Sequence, residues 1–341
     1  MTFNGDGRNV RVGVIGAGNI GADHATTLAR EVAGAEVVAV FDPDPARAAA
    51  VAEATQARTS ARAEELISAP DVDSVLVASP DETHPAMVLA CIAAGKPVLC
   101  EKPLATSLAG ATEVMEAEIA HGARLVRLGF MRRYDPGYRA AKEVIAAGEL
   151  GQVVVLHCVH RGKASAPHYT TAMLLSNSAV HEFDVTRWLL GEEIVAASVV
   201  AGRSSPYAPV GLHDPLIVLL ETSSGVVVDI ELFCNCRYGY DVRCEVVGTD
   251  GTICCGEPAS TFRTATGWRR SSIADDWRAR FHEAYRAELQ DWVESLRRDE
   301  QRGPTAWDGY AATAVAEACV AAAADGARAK VELGAPPSLY R

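Results

Sequence analysis

Three residues carry the chemistry this chain offers. Lys102 stands in Glu101-Lys102-Pro103, and His181 precedes Asp184 by three positions. Residues i and i+3 of a helix share one face. Histidine is a base near neutral pH, and a lysine ammonium stabilises a developing oxyanion. Ahead of them lies Gly16-Ala17-Gly18-Asn19-Ile20-Gly21, a G-x-G-x-x-G run between an apolar stretch and a helical pattern. There the glycines allow a tight turn, close approach of backbone to a pyrophosphate and tight helix–strand packing. The helix start, Asn19 and Ile20 included, offers N–H groups to phosphates. Asp42 closes the next apolar run, 21 residues after Gly21. That is the spacing of a carboxylate that binds a ribose 2′-hydroxyl. Its charge repels a 2′-phosphate, so NAD is expected over NADP. The other reading of this segment is an N-cap for a helix from Pro45, a role that suits Asp44. A dinucleotide cradle, a cation and a base are the parts of a hydride transfer to or from a polar secondary alcohol or carbonyl. His181 keeps two readings on this evidence, a base or a hydrogen-bonded histidine at a helix start.

These residues need elements to hold them. Val10–Ile15, Val37–Phe41, Ser74–Ala78, Val98–Cys100 and Leu125–Gly129 are apolar runs of buried-strand length. Ile20–Ala33, Pro45–Thr55, Pro85–Ala94 and Leu108–His121 read as the helices between them. Such alternation predicts a doubly wound parallel sheet. It also puts Lys102 just past a strand's carboxyl end, the edge where open α/β sheets bind ligands. After Gly129 the character changes. A helix over Pro136–Ala147 is followed by a strand from Gln152 to about Arg161, and His181–Leu190 is a helix stopped by Gly191. Ile194–Ala201, Ile217–Glu221, Val226–Phe233 and Asp241–Val247 read as strands, with turns at Ser223-Ser224-Gly225 and Thr249-Asp250-Gly251. They predict a second α/β domain with a large, mostly antiparallel open sheet. Helices over about Arg278–Arg298 and Trp307–Asp325 close the chain. The expected domains are 8–130 for the dinucleotide and 131–335 for substrate and assembly.

At 341 residues and 49% hydrophobic residues the chain can bury two cores. Its net charge of −12 disfavours nucleic acid and anionic membrane as partners. The nine cysteines are scattered; Cys234/Cys236 and Cys254/Cys255 lie in strand-like segments and lack C-x-x-C spacing. They are expected to be buried thiols in a reducing cytoplasm, with no metal site. The opening residues show no export signal.

Together these stretches resemble the glucose–fructose oxidoreductase / inositol dehydrogenase family, Gfo/Idh/MocA. Within it the chain is most similar to bacterial inositol 2-dehydrogenases. The matching stretches span nearly the whole chain: Gly16–Gly21 with His24, Ser79-Pro80 with Thr83-His84, Gly95-Lys96-Pro97 through Glu101-Lys102-Pro103, Gly129–Pro136, Val180–Asp184, Tyr238–Asp241 and Ala306–Tyr310.

The resemblance implies a Rossmann domain and an α/β domain whose open sheet commonly forms a dimer or tetramer interface. It places the family's catalytic lysine on Lys102 and its catalytic histidine on His181. Substrate contacts fall on Arg132, His160, Asp184 and Tyr240; cofactor contacts extend to Ser79, Pro80, His84, Glu101 and Lys102. Two positions depart from inositol dehydrogenases. Asn177 stands where an Asp four residues before the catalytic histidine is typical, and Gly162 stands where an Asn is typical. Asn supports an imidazolium less well than a carboxylate does, and Gly removes a polar contact and opens space. Both favour a bulkier or amino-bearing ring, such as an aminocyclitol on an aminoglycoside pathway, over free myo-inositol. The resemblance thus implies an NAD-dependent dehydrogenase that oxidises a ring secondary alcohol of a cyclitol or sugar to a ketone. The alternatives are plain myo-inositol 2-dehydrogenase, the reverse ketone reduction, and a silent NAD-binding regulator.

Overall fold

The structure, a computed structural model, describes residues 8–256 and 263–341. Residues 1–7, on which the expectation about export rests, lie outside them. The chain divides into two compact units. One holds the residues through Met131 together with Tyr285–Thr313 and Gly334–Arg341; the other holds Arg132–Ala284 and Ala314–Leu333.

The first unit alternates strand and helix: β1 (Val10–Ile15), α1 (Asn19–Arg30), β2 (Ala35–Phe41), α2 (Pro45–Thr55), β3 (Arg58–Thr59), α3 (Ala63–Ser68), β4 (Ser74–Val77), α4 (His84–Ala93), β5 (Val98–Glu101), α5 (Leu108–His121) and β6 (Val126–Gly129). The strands form a parallel sheet in the order β3-β2-β1-β4-β5-β6. Helices cover both faces of such a sheet, so its central strands are largely apolar and buried rather than alternating. Strand order reverses between β1 and β4, and open α/β sheets bind ligands at the carboxyl edge there. α1 stops at Arg30, short of the expected Ala33, because the chain must turn through Gly34 at φ +82° to enter β2. β3 and α3 have no counterpart in the sequence reading; two and six residues are too few to show a period.

The second unit holds α6 (Pro136–Ala146), β7 (Val153–Arg161), a short α7 (Thr171–Met173) running into a π-helical turn over Leu174–Ser178, and α8 (Val180–Leu190). Then come β8 (Ile194–Ala201), β9 (Leu216–Thr222), β10 (Val227–Phe233), β11 (Asp241–Gly248), β12 (Thr252–Cys255) and the hairpin β13 (Arg263–Ala265) and β14 (Trp268–Arg270). α9 (Trp277–Arg298), α10 (Ala306–Asp325) and β15 (Ala329–Lys330) finish the chain. The sheet order is β12-β11-β7-β10-β9-β8-β15. Only the β7–β10 pair is parallel among these neighbours. β9 and β10 alternate buried and more exposed residues, as strands do when one face is covered and the other open. Gly191 ends α8 in the left-handed conformation, as the sequence predicts.

The last helices hold a lesson for both units. Leu289, Trp292 and Val293 of α9 are buried in the first unit's core with Val12, Val14, Leu28 and Leu99. From Tyr285 onward α9 therefore serves the dinucleotide unit, although it follows the second unit's strands in sequence.

Among the described residues no helix is long and apolar enough to cross a membrane. All nine cysteines are free thiols, and eight are buried. Cys254 corrects the expectation: it is exposed, because strand alternation turns it away from the face that buries Cys255. Cys234 and Cys236 lie just beyond the end of β10, not within a strand.

Candidate active site

The glycine run is held as its chemistry requires. Gly16 has φ +97°, and a Cβ there would stand 2.4 Å from the Ala78 carbonyl oxygen. A Cβ at Gly21 would lie 2.0 Å from the Gly16 oxygen. These two glycines are forced by packing. Gly18 is different: a Cβ there would meet nothing within 4 Å. Gly18 is also the N-cap of α1, with no side chain capping it and no acidic residue in the first turn. An uncapped helix start beside open space fits a phosphate. The residues present therefore fit the pyrophosphate of a dinucleotide.

Asp42 sits at the end of β2, half-buried. Its Oδ2 accepts from the Ala17 N–H at 2.7 Å, and its Oδ1 from the Asp44 N–H at 2.9 Å. The capping role belongs to Asp44, whose side chain accepts from Ala46 N–H at the start of α2. Asp42 is thus tied to the glycine loop and left at the carboxyl edge of the sheet.

Beyond β4, Ser79 Oγ pairs with Thr83 Oγ1 at 2.6 Å. Pro80 leads the turn Asp81–Thr83 into α4. The buried His84 ring spans Ser79 O at 2.9 Å and Pro103 O at 2.7 Å. It thereby fastens the turn after β4 to the turn after β5, which carries Lys102. Glu101 ends β5, buried, and takes His24 Nε2 of α1 at 2.7 Å and the Lys102 N–H at 3.1 Å. Burial pushes the Glu101 carboxyl up, but the His24 hydrogen bond and the His24 and Lys102 charges outweigh it and hold it below its usual value. Tyr285 meets the His24 ring edge-on at 5.2 Å. The sequence reading quoted His24 without a role; its burial on α1 is visible only in three dimensions. Lys102 itself is half-buried and belongs to the first unit, while His181 belongs to the second.

In the second unit α8 presents consecutive polar residues to the interior. His181, Glu182 and Asp184 are all buried in its first turns. Arg132 is buried, only 1% exposed. Its Nη1 pairs with Glu182, and it lies 5.9 Å from the centre of the Phe281 ring. His160 Nδ1 on β7 is 3.1 Å from Glu182 Oε2 and 3.3 Å from Arg132 Nη2. Tyr240 approaches His160 edge-on at 5.9 Å. Burial is the largest influence on Tyr240 and pushes its hydroxyl up, keeping it neutral. Burial also pushes the Glu182 carboxyl up, but the charges of Arg132 and His160 prevail and hold it below its usual value. Asp184 accepts from Arg133 Nε at 2.9 Å. Sequence reasoning assigned nothing to Glu182, although it lies within the quoted Val180–Asp184 stretch; a charged residue between His181 and Phe183 was the available signal.

Asn177 lies in the π-helical turn before α8. Its Oδ1 accepts from Tyr169 Oη at 3.4 Å, and the same hydroxyl is 2.8 Å from Ser178 Oγ. At Gly162 the Cβ direction is bounded: a Cβ would touch the Cys234 main chain at 3.5 Å, an ordinary contact. The space expected there is therefore walled on one side by the segment after β10. A separate cavity of about 420 Å³ lies at the opposite, amino end of β5 and β6 and holds none of these residues.

Two family models match the chain. Residues 10–130 match the family model described as an oxidoreductase family with an NAD-binding Rossmann fold, and residues 142–333 match its C-terminal alpha/beta domain. A protein of Saccharopolyspora erythraea named Inositol 2-dehydrogenase 1 is 50% identical over 333 residues, covering 97% of this chain and 99% of the relative. Inositol 2-dehydrogenase of Burkholderia multivorans is 48% identical over 334 residues, with 97% and 99% coverage. The crystal structure of myo-inositol dehydrogenase from Lactobacillus casei, in complex with NAD(H) and myo-inositol, superposes with a TM-score of 0.94. It is 32% identical and covers 98% of this chain and 100% of its own. The cofactor is NAD, and the chain belongs to the Gfo/Idh/MocA family of NAD-dependent oxidoreductases that act on a CH–OH group.

Proposed function

We propose that this enzyme oxidises one secondary hydroxyl of an inositol-type ring to a ketone. Relatives named inositol 2-dehydrogenase, alike over almost their entire length at 50% and 48% identity, carry this reading. NAD, when bound, supplies the nicotinamide carbon that accepts hydride. Gly16, Gly18 and Gly21, with the N–H groups of Asn19 and Ile20, hold its pyrophosphate. Asp42 takes the ribose hydroxyls. Ser79, Pro80, His84 and Glu101 shape the neighbouring turns. His181 accepts the hydroxyl proton, and the Lys102 ammonium stabilises the developing alkoxide. Arg132, His160, Asp184 and Tyr240 orient the ring, and Asn177 and Gly162 set what else it carries. The same groups serve the reverse reduction. A second reading, an amino-bearing ring of the aminoglycoside kind, is favoured by Asn177, where inositol dehydrogenases typically hold Asp. Nine free thiols suit a cytoplasmic setting. The open face of the second unit's sheet, with Val154, Ile217, Leu219 and Val227 exposed, suits self-association into a dimer or tetramer.

The test is NADH formation on a panel of myo-inositol, a pyranose and an amino-substituted cyclitol. Turnover of a cyclitol is expected. Lys102→Ala and His181→Ala should each lose about a hundredfold or more in kcat while still binding NAD. Near-parental kcat in either variant, with the fold intact, removes that residue from the mechanism.

A further inference from the structure

Glu182 stands out among the buried charges of the second unit because it meets two site residues at once. Its carboxylate faces Arg132 through Oε1 and His160 through Oε2. The His160 contact bears on where the ring's proton sits. Nδ1 lies 3.1 Å from Glu182 Oε2 and 3.3 Å from Arg132 Nη2. Were Nδ1 bare, its lone pair would face the carboxylate's lone pairs at hydrogen-bond distance, a repulsive pairing inside a buried site. A hydrogen on Nδ1 turns that contact into a charge-assisted hydrogen bond. Arg132 Nη2 can only donate and would pair with the opposite tautomer, but at 3.3 Å it is the longer contact and Glu182, at 3.1 Å, is the nearer partner. A neutral imidazole with its hydrogen on Nδ1 carries a lone pair on Nε2. Nε2 holds no hydrogen bond among the described residues, nor is it one of the buried polar atoms left without a partner.

We propose that Glu182 is a positioning residue: it holds His160 as the Nδ1–H tautomer, so that Nε2 accepts a hydrogen bond from one hydroxyl of the ring substrate. The assignment deepens the ring-alcohol reading above and rests on it for the substrate. It follows that this ring position must donate. A hydroxyl or an ammonium fits, whereas a hydrogen or a methoxy group leaves Nε2 unmatched. The charge balance supports the arrangement. Arg132 neutralises Glu182, so the pair is a net-neutral support beneath His160, and the Tyr240 ring edge limits the imidazole's rotation.

Two measurements decide it. The first uses the parent enzyme with ¹⁵N-labelled histidine. Two-bond ¹H–¹⁵N correlations report which ring nitrogen is protonated, and His160→Gln identifies the signal by its loss. Protonated Nδ1 with bare Nε2 is expected; a hydrogen on Nε2 overturns the proposal, whatever the substrate proves to be. The second compares kcat/KM for myo-inositol and its monodeoxy and mono-O-methyl derivatives in the parent and in Glu182→Gln. In the parent, one ring position should show a loss of about tenfold or more when its hydroxyl donor is removed. In Glu182→Gln that penalty should shrink severalfold, with KM for NAD unchanged. An equal penalty in both enzymes would leave Glu182 a structural residue. Failure of the parent to oxidise any cyclitol would sink the ring-alcohol reading while the tautomer measurement still judged Glu182.

Discussion

Asp42→Ala tests whether the carboxylate at the end of β2 reads the cofactor or only fastens a loop. The structure gives it two internal hydrogen bonds, to Ala17 N–H at 2.7 Å and Asp44 N–H at 2.9 Å. At a half-buried site these contribute about 1 kcal/mol each. Their loss should lower Tm by a few degrees, since about 1 kcal/mol moves Tm by roughly 2–4 °C in domains of about 150–250 residues and by somewhat less in a longer chain. A ribose hydroxyl donating to the same carboxylate adds about 1.5–3 kcal/mol to NAD binding, or roughly 10–150-fold in Kd. NADP loses nothing of that kind, because Asp42 repels its phosphate, and the variant removes the repulsion. The ratio of kcat/KM for NAD over NADP should therefore fall by more than NAD binding itself does. The assay is initial-rate kinetics with each cofactor at saturating ring substrate, beside a thermal melt. Asp42→Asn keeps the shape and one acceptor and should fall between the two. A lower Tm with an unchanged NAD:NADP ratio would refute the ribose assignment and leave Asp42 as a brace for the glycine loop.

Gly18→Ala should leave Tm within about 1 °C of the parent, because its Cβ meets nothing in the protein, yet weaken NAD binding measured by calorimetry. Gly21→Ala drives a Cβ against the Gly16 carbonyl and should cost about 1–3 kcal/mol or more in denaturant unfolding; equal melts for the two variants would contradict the packing described. Glu101 and Glu182 are both held below the ordinary glutamate value of 4.5. A carboxyl lowered in the folded state adds stability that is full above the unfolded value and fades as pH falls through the folded one. Tm should thus fall below about pH 4.5, and less steeply in Glu182→Gln; parallel pH–Tm curves would argue against it. Asn177→Asp with Gly162→Asn should raise kcat/KM for myo-inositol and lower it for an amino-bearing ring. Efficient use of myo-inositol by the parent, with no gain from the double change, would make the enzyme a plain inositol dehydrogenase.

Much of this molecule is written locally. The glycine run, Asp42 and the strand–helix alternation from Val10 to Gly129 depend on short-range patterns: a turn that admits only glycine, a run of buried β-branched residues, a stop at Gly191. Such signals need no knowledge of distant residues, so sequence suffices for the Rossmann unit, the open antiparallel sheet and the cofactor class. Tertiary structure decided what distance in sequence conceals. Trp292 completes the core built around Val12 and Leu99 because the closing helix returns to the first unit. Arg132, His160 and Glu182 come from three separate elements, 28 and 22 residues apart in sequence. Their pairing follows from burial, which only the folded chain supplies: in water each would be a solvated side chain, whereas inside they must satisfy one another.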